Sequence, residues 1–411
     1  MLRYLFIIST IFFSMALAAR TIIVDKNRAV PSIRKAIEMA KDNDTILVRY
    51  GIYIEGNIII NKNIALIGEN FPVIDGNKKF EILTVSGKNI SIKGFLLRNS
   101  GSSSMDDFAS IKVTDAKNII IENNKVVNAY FGIHFSNASF ITIRNNTITG
   151  TPGSEHSTGN GIHLWKCSNA LIENNRINGH RDGIYFEFVN ESTIRNNTSE
   201  KNIRYGLHFM FSHDNVYLNN TFKNNGAGVA VMYSKHVRME KNRFEQNWGP
   251  SAYGILLKEI TDSHIQHNVF FKNTAAIYME GSSRIQIQKN IFKENGWAIK
   301  VQASCDDNRF INNNFFGNSF DVATNGTMVL NEFSNNYWDK YEGYDLDKNG
   351  IGDVPYHPVS MYSMIVEQNP NSLILLKSFI VSLLDKAEKA IPSLTPENLA
   401  DKNPMMKPLK L

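Results

Sequence analysis

The sequence predicts an all-β fold, a right-handed parallel β-helix wound as a solenoid of coils of about 22 residues, with an N-terminal capping helix and a C-terminal helical tail. Three observations carry this. Ten asparagines recur in one local context: Asn124, Asn146, Asn175, Asn197, Asn220, Asn242, Asn268, Asn290, Asn313 and Asn336, at spacings of 22, 29, 22, 23, 22, 26, 22, 23 and 23 residues. A near-fixed period of that length marks stacked repeats instead of separate globular units. Ahead of the asparagine sits an alternating strand such as Ile285-Gln286-Ile287, and about eight residues after it comes a second, as in the runs opening at Gly132, Gly161, Gly183, Gly206, Gly228 and Gly254. Leucine-rich repeats share the period and a strand-then-Asn signature. Here, however, the second half of each repeat alternates with period two and is rich in Ile, Val, Phe and Tyr, with no 3.6-residue pattern, so strands are expected throughout.

Taken in order, residues 1–18 read as a signal peptide. Arg3 precedes an apolar run from Tyr4 to Met15, and Ala16 and Ala18 frame a cleavage site after Ala18. Residues 19–339 form the β-helix. Ser32 to Lys41 places Ile33, Ala36, Ile37 and Ala40 at helical spacing, a short helix to cover the open first coil, followed by strands at Thr45 to Val48, Ile58 to Ile60 and Ile64 to Ile67. The asparagine column is structural: Asn tolerates a left-handed turn, and its amide can bond the amide one coil away. From about Thr221 an aromatic residue often follows the column by two and another asparagine by five. Residues 340–360 are an Asp-rich loop and cap. Within it Asp345, Asp347, Asn349 and Asp353, with Gly350, match the early positions of a calcium-binding loop, although Tyr356 stands where the final Glu belongs. Residues 361–411 are an amphipathic helical tail suited to partner docking, with one helix from Leu373 to Ile391 and a second starting at Thr395-Pro396-Glu397.

The 411 residues carry a net charge of +5 without a block of like charges, which argues against a nucleic-acid surface. Cys167 and Cys305 lie six coils apart, too far for a disulfide. In each coil the second strand should point its first and third residues after the Gly or Ala inward and its second and fourth outward to solvent. The second column reads His134, His163, Tyr185, His208, Ala230, Leu256, Tyr278, Lys300; the fourth reads Ser136, Trp165, Glu187, Met210, Met232, Lys258, Glu280, Gln302. His208 and Met210 would lie about 7 Å apart on one strand face, with Met232 about 4.8 Å from Met210 on the next coil. Two thioethers and an imidazole so placed could hold Cu(I). His163 and His213 are further candidates, and loops at Thr151 to Asn160 and Trp248 to Tyr253 flank the stripe. A docking or sugar-stacking patch, or chance, explains the same residues. A polysaccharide-active enzyme would need clustered acids, and Glu187 and Glu280 stand four coils apart, about 19 Å by the coil rise.

Several segments together resemble the NosD family: the export signal, Tyr50-Gly51-Ile-Tyr53 with Glu55, the coil Gly206 to Ser212 with its Met210, the ending Asn336-Tyr-Trp-Asp339, and the tail from Leu383 to Glu388 leading to Asn403 through Pro408. The resemblance implies a non-enzymatic periplasmic protein, peripheral at the inner membrane, that matures nitrous oxide reductase. It implies work with the membrane subunit of an ABC transporter and with a copper chaperone to deliver copper to the reductase's copper–sulfur centre. The tail would then dock on the transporter. The ligands His208, Met210 and Met232 rest on strand geometry, not on the resemblance. A β-helix lyase or epimerase, or a carbohydrate-binding surface protein, is the alternative reading.

Overall fold

The computed structural model describes residues 19–103, 106–326, 330–390 and 399–411. The expected signal peptide and the second tail helix at Thr395 lie outside the described residues. From Thr21 to Trp338 the chain winds as a parallel β-helix. One sheet of 13 short strands forms one face, and a bent sheet of 22 strands forms the other two. All strand pairings are parallel and in register from coil to coil, as in Leu207 beside Val229 and Met210 beside Met232. At 4.8 Å per coil the rod is about 60 Å long.

The coil repeats because each column solves one problem. Inward positions stack like on like: Phe222, Phe244, Phe270, Phe292, Phe315 and Trp338 form a continuous pile with ring centroids 4.0 to 5.6 Å apart. The ten ladder asparagines are all buried. The Oδ1 of Asn220 accepts from the backbone N and the Nδ2 of Asn197, while its own Nδ2 donates to the carbonyl of Ile194. The left-handed residue at this turn is not the ladder asparagine but the one before it, for example Asn219 at φ 55°, Lys241 at 55° and His267 at 55°. The ladder side chain is therefore selected for its amide alone. A second ladder, Asn202, Asn225, Asn247, Asn273, Asn295 and Asn318, runs along the next corner.

Both ends are covered. At the start, helix α1 (Ile33–Met39) is capped by Ser32 Oγ, which accepts from Lys35 N, and buries Ile33, Ala36 and Ile37 on the first coils. At the end, Asp401 completes the asparagine column: its Oδ2 accepts from Asn336 N and Nδ2 and from Trp338 Nε1. The tail differs from the expected single helix. It contains α2 (Met361–Gln368), a 3-10 helix (Pro370–Leu375) and α3 (Phe379–Ala390). The break has a local cause, since Lys377 takes φ 66° between the last two elements. In the loop of residues 340–360, both carboxylate oxygens of Asp345 accept backbone N–H groups, from Asn349 and Gly350, and Asp353 accepts from Leu346.

Candidate functional site

The site residues lie on the outward side of consecutive strands in the bent sheet. Alternation holds: Leu207 and Phe209 are buried inside the coil while His208 and Met210 point away from it. Met210 and Met232 pair on neighbouring strands and are both half-buried, open to solvent on one side. His208, expected to be exposed, retains only 6% of its accessible surface.

A buried ion pair accounts for that difference. Asp182, one coil before, is wholly buried and accepts from Arg204 Nε at 3.1 Å and Nη2 at 2.9 Å. The other face of Arg204 reaches Glu155, in the insertion between Thr151 and Asn160, at 3.2 Å. Arg204 Nη2 also lies 3.1 Å from His208 Nδ1, and Asp182 Oδ2 lies 3.5 Å from the same nitrogen. The insertion thus folds down over the face and is tied there through Arg204. Burial pushes the Asp182 carboxyl up, but His208 and Arg204 outweigh it and hold the carboxyl below its usual range. His208 Nε2 is buried with no hydrogen-bond partner among the described residues. An arginine only donates, so the closer contact makes Nδ1 the acceptor and puts the ring hydrogen on Nε2. An ion at Nε2 would need the Nδ1 contact to pass from Arg204 to Asp182.

His163 belongs to the same column but not to the same point. Tyr185 stands between the two histidines, with ring centroids 4.7 Å from His163 and 5.0 Å from His208. His134 continues the stack 4.6 Å beyond His163. Burial pushes His134 down to about 4 and His163 well below its ordinary value, so both are neutral. Burial also pushes Tyr185 up to about 12, with the Glu187 charge adding to the effect. His213 sits past the corner, where its Nδ1 accepts from Lys235 N at 3.3 Å, away from the Met pair. Met210 and Met232 are thus cross-strand neighbours with His208 two residues before Met210 on the same strand face, its ring packed against Arg204, Asp182, Tyr185 and Tyr205.

Asp182 was not singled out by its sequence position, although the signal was there. Coils further on carry Tyr205, Ala227, Tyr253 or Ala275 at that register, so an acid at that place, one coil below an arginine, is out of pattern. The residues following Glu187, Met210 and Met232 are also unusual. Phe188, Phe211 and Tyr233 hold φ of 55°, 49° and 52°, are exposed, and stack with centroids 5.2 and 5.0 Å apart. Left-handed backbone costs a bulky residue on the order of 1 kcal/mol, so three consecutive aromatics at an exposed corner mark a surface beyond the needs of the fold. The two thiols offer no chemistry. Burial pushes Cys167 up to about 11 while its Sγ donates to Trp165 O, and Cys305 Sγ accepts from Ser282 N within a column of turn serines. Among the described residues no three His, Cys, Asp or Glu side chains are grouped as a metal centre.

A family model described as "Periplasmic copper-binding protein (NosD)" matches residues 149–343, which contain the whole of this face beyond His134. A second, described as "Rhamnogalacturonase A/epimerase, pectate lyase-like", matches residues 24–230, half of the chain. A protein of Pseudomonas aeruginosa named "Probable ABC transporter binding protein NosD" is 29% identical, over 86% of this chain and 86% of its own. Its namesake in Stutzerimonas stutzeri is 28% identical, over 86% and 85%. Among solved structures, the catalytic unit of a thermostable GH87 α-1,3-glucanase from Streptomyces thermodiastaticus matches at 12% identity, with a TM-score of 0.56, over 75% of this chain and 62% of that one. The Dettilon tailspike protein matches at 12% identity and 0.55, over 76% and 68%. At that identity these two share the fold alone.

Proposed function

Because the chain belongs to the pectate lyase-like β-helix proteins and within them is a relative of NosD, we propose that it is an exported, periplasmic accessory protein of an ABC transporter system that binds Cu(I) as cargo. The copper passes, with a copper chaperone, to the copper–sulfur centre of nitrous oxide reductase. One observation carries the reading: two half-exposed thioethers, Met210 and Met232, in register on adjacent strands, with His208 two residues before Met210 on the same strand face. Thioether and neutral imidazole are soft donors that suit Cu(I) over hard cations. Two surface thioethers form an open site that can release its ion, as a carrier must. The corner rings Phe188, Phe211 and Tyr233, next in sequence to Glu187 and the two methionines, give a partner protein apolar area beside the ion.

The tail supplies the second contact. α2 holds to the last coils through Tyr362 and Val366, which pack on Phe320, while much of α3 stays uncovered for the transporter's membrane subunit. Calcium in the loop at Asp345, Asp347, Asn349 and Asp353 would have a structural role, and would have to displace the backbone N–H groups those side chains now accept.

A polysaccharide-active enzyme is the competing function, favoured by the acids on this face. It needs one carboxyl kept protonated and another ionised. Asp182 is held ionised in its ion pair, and the buried Asp321, whose carboxyl burial pushes up, lies under the C-terminal cap against Tyr356 and Lys340. The test is to produce nitrous oxide reductase with and without this protein and measure copper per reductase. Loss of copper with an intact polypeptide supports delivery; full loading in its absence refutes it.

A further inference from the structure

We propose that the tip of the C-terminal tail, residues 373–380, inserts into the interface of a lipid bilayer and rests this end of the rod on the membrane. Along the end of the 3-10 helix and the start of α3, Leu373, Ile374, Leu375, Leu376, Phe379 and Ile380 are all exposed, Ile374 at 89% and Phe379 at 82%. Ile374 and Phe379 project into solvent with little protein beside them, while Leu373, Leu375, Leu376 and Ile380 are partly covered around them. A run of apolar residues exposed in this way is selected against in a water-soluble surface unless something covers it.

The fold does not need it. α3 is held by Val381, which packs with Tyr362, Val366 and Phe320, and by Glu388, whose Oε2 accepts from Met361 N; both lie beyond residue 380, so the tip is surplus to this hold. Charge and shape identify the occupant. Lys377 stands exposed in the middle of the apolar run, and Lys386 is exposed two turns further along α3. Their stems can lie along the apolar layer while the ammonium groups meet anionic headgroups. Ile374 and Phe379 protrude, as suits a fluid layer that closes around them. The 12 residues of α3 reach about 18 Å, short of the roughly 30 Å hydrocarbon core, and no described helix is long and apolar enough to cross a membrane. The tip therefore lies in the interface. This inference rests on the proposed function only in placing the protein beside a membrane; the lipid contact itself requires no transporter.

Residues 19–411, free of any partner, are sedimented with vesicles of phosphatidylethanolamine and phosphatidylglycerol, and separately with neutral phosphatidylcholine vesicles. Binding is expected to the anionic vesicles and more weakly to the neutral ones. The double variant Ile374→Ser/Phe379→Ser should lose about tenfold or more of that binding, and Lys377→Glu should lower only the binding to anionic vesicles. Because the substituted residues are exposed, an unchanged thermal midpoint confirms that the variants fold. Absence of vesicle binding, or binding undiminished in the double variant, overturns the proposal. If the wild type ignores vesicles and the double variant loses only co-purification with the detergent-solubilised transporter, the tip is a protein contact, and the proposed function survives without the lipid.

Discussion

Two sides of the same coils follow opposite rules. On the asparagine side one residue type repeats from Asn124 to Asn336, and its Oδ1 and Nδ2 are bonded coil after coil, up to the carboxylate of Asp401 that closes the column. On the histidine and methionine face no residue type runs for more than two coils, the Asp182 charge is buried, and His134 Nδ1 and His208 Nε2 are left without partners among the described residues. Repetition with nothing left over is architecture. Variation with polar atoms left over costs stability, and such cost is retained where a surface has something to bind.

The comparison breaks most readily on the asparagine side. Asn220→Ala should orphan Asn197 N and take the side-chain donor from the Ile194 carbonyl, at about 1–3 kcal/mol each, while Asn197 Nδ2 keeps the Ile172 and Arg195 carbonyls. We expect about 2–6 kcal/mol lost by chemical denaturation, with the asparagine neighbours on either side disturbed. A loss under 1 kcal/mol would mean that the ladder is decoration. On the other face, Asp182→Ala leaves Arg204 with only the exposed Glu155 as its partner and should cost up to about 3 kcal/mol. Replacing both, Asp182→Leu with Arg204→Met, should recover most of that, which no ladder pair would do.

Acid separates the two sides further. The ladder amides do not titrate, whereas His134, held at about 4, and His163, pushed well down, both by burial, are neutral in the fold. The unfolded chain takes up a proton at each near 6.5, so stability falls as pH drops below that value, by up to about 1.4 kcal/mol per pH unit for each histidine that stays neutral. Asp182, lowered in the fold, keeps its contribution above the ordinary carboxylate range and loses it only at still lower pH. A flat stability profile between pH 6.5 and 4 would contradict the burial assigned to these rings; His134→Gln should reduce the slope. The smallest effect is expected of His213→Gln, which removes only an acceptor for Lys235 N: a change within about 1 kcal/mol, and no change in Cu(I) affinity.

Much of the fold was legible in the sequence because a β-helix writes each column at a fixed period. The asparagines, the inward Ile and Phe positions and the capping helix at Ile33–Met39 all stand where the spacing puts them. What was not legible depends on contacts without a period. The residue that adopts the left-handed turn varies among Asn, Lys and His, so spacing could not tell it from its neighbour. Asp401 reaches Asn336 across 65 residues, and Glu155 reaches Arg204 across 49. His208, read as exposed from strand alternation, is covered by Arg204, Tyr185 and Tyr205 packed around its ring, and His134, Ala230 and Leu256 of the same column are buried as well. Alternation decides which side of the sheet a residue faces, not what its neighbours lay over that side. α2 and the break at Lys377 were missed because an apolar run as broad as Leu373 to Ile380 fits several helical phases equally well.

The claim at the centre of this account is that Met210 and Met232 receive Cu(I). It is tested most directly by anaerobic titration of the protein with Cu(I) against a chromophoric chelator, wild type beside Met210→Leu/Met232→Leu. Leucine keeps the volume, so the rod should stay folded with a loss below about 1.5 kcal/mol. The account predicts that the double variant yields copper to the chelator with an affinity about tenfold or more lower, the equivalent of at least 1.4 kcal/mol. An unchanged affinity in a folded double variant would contradict it and move the copper away from this face.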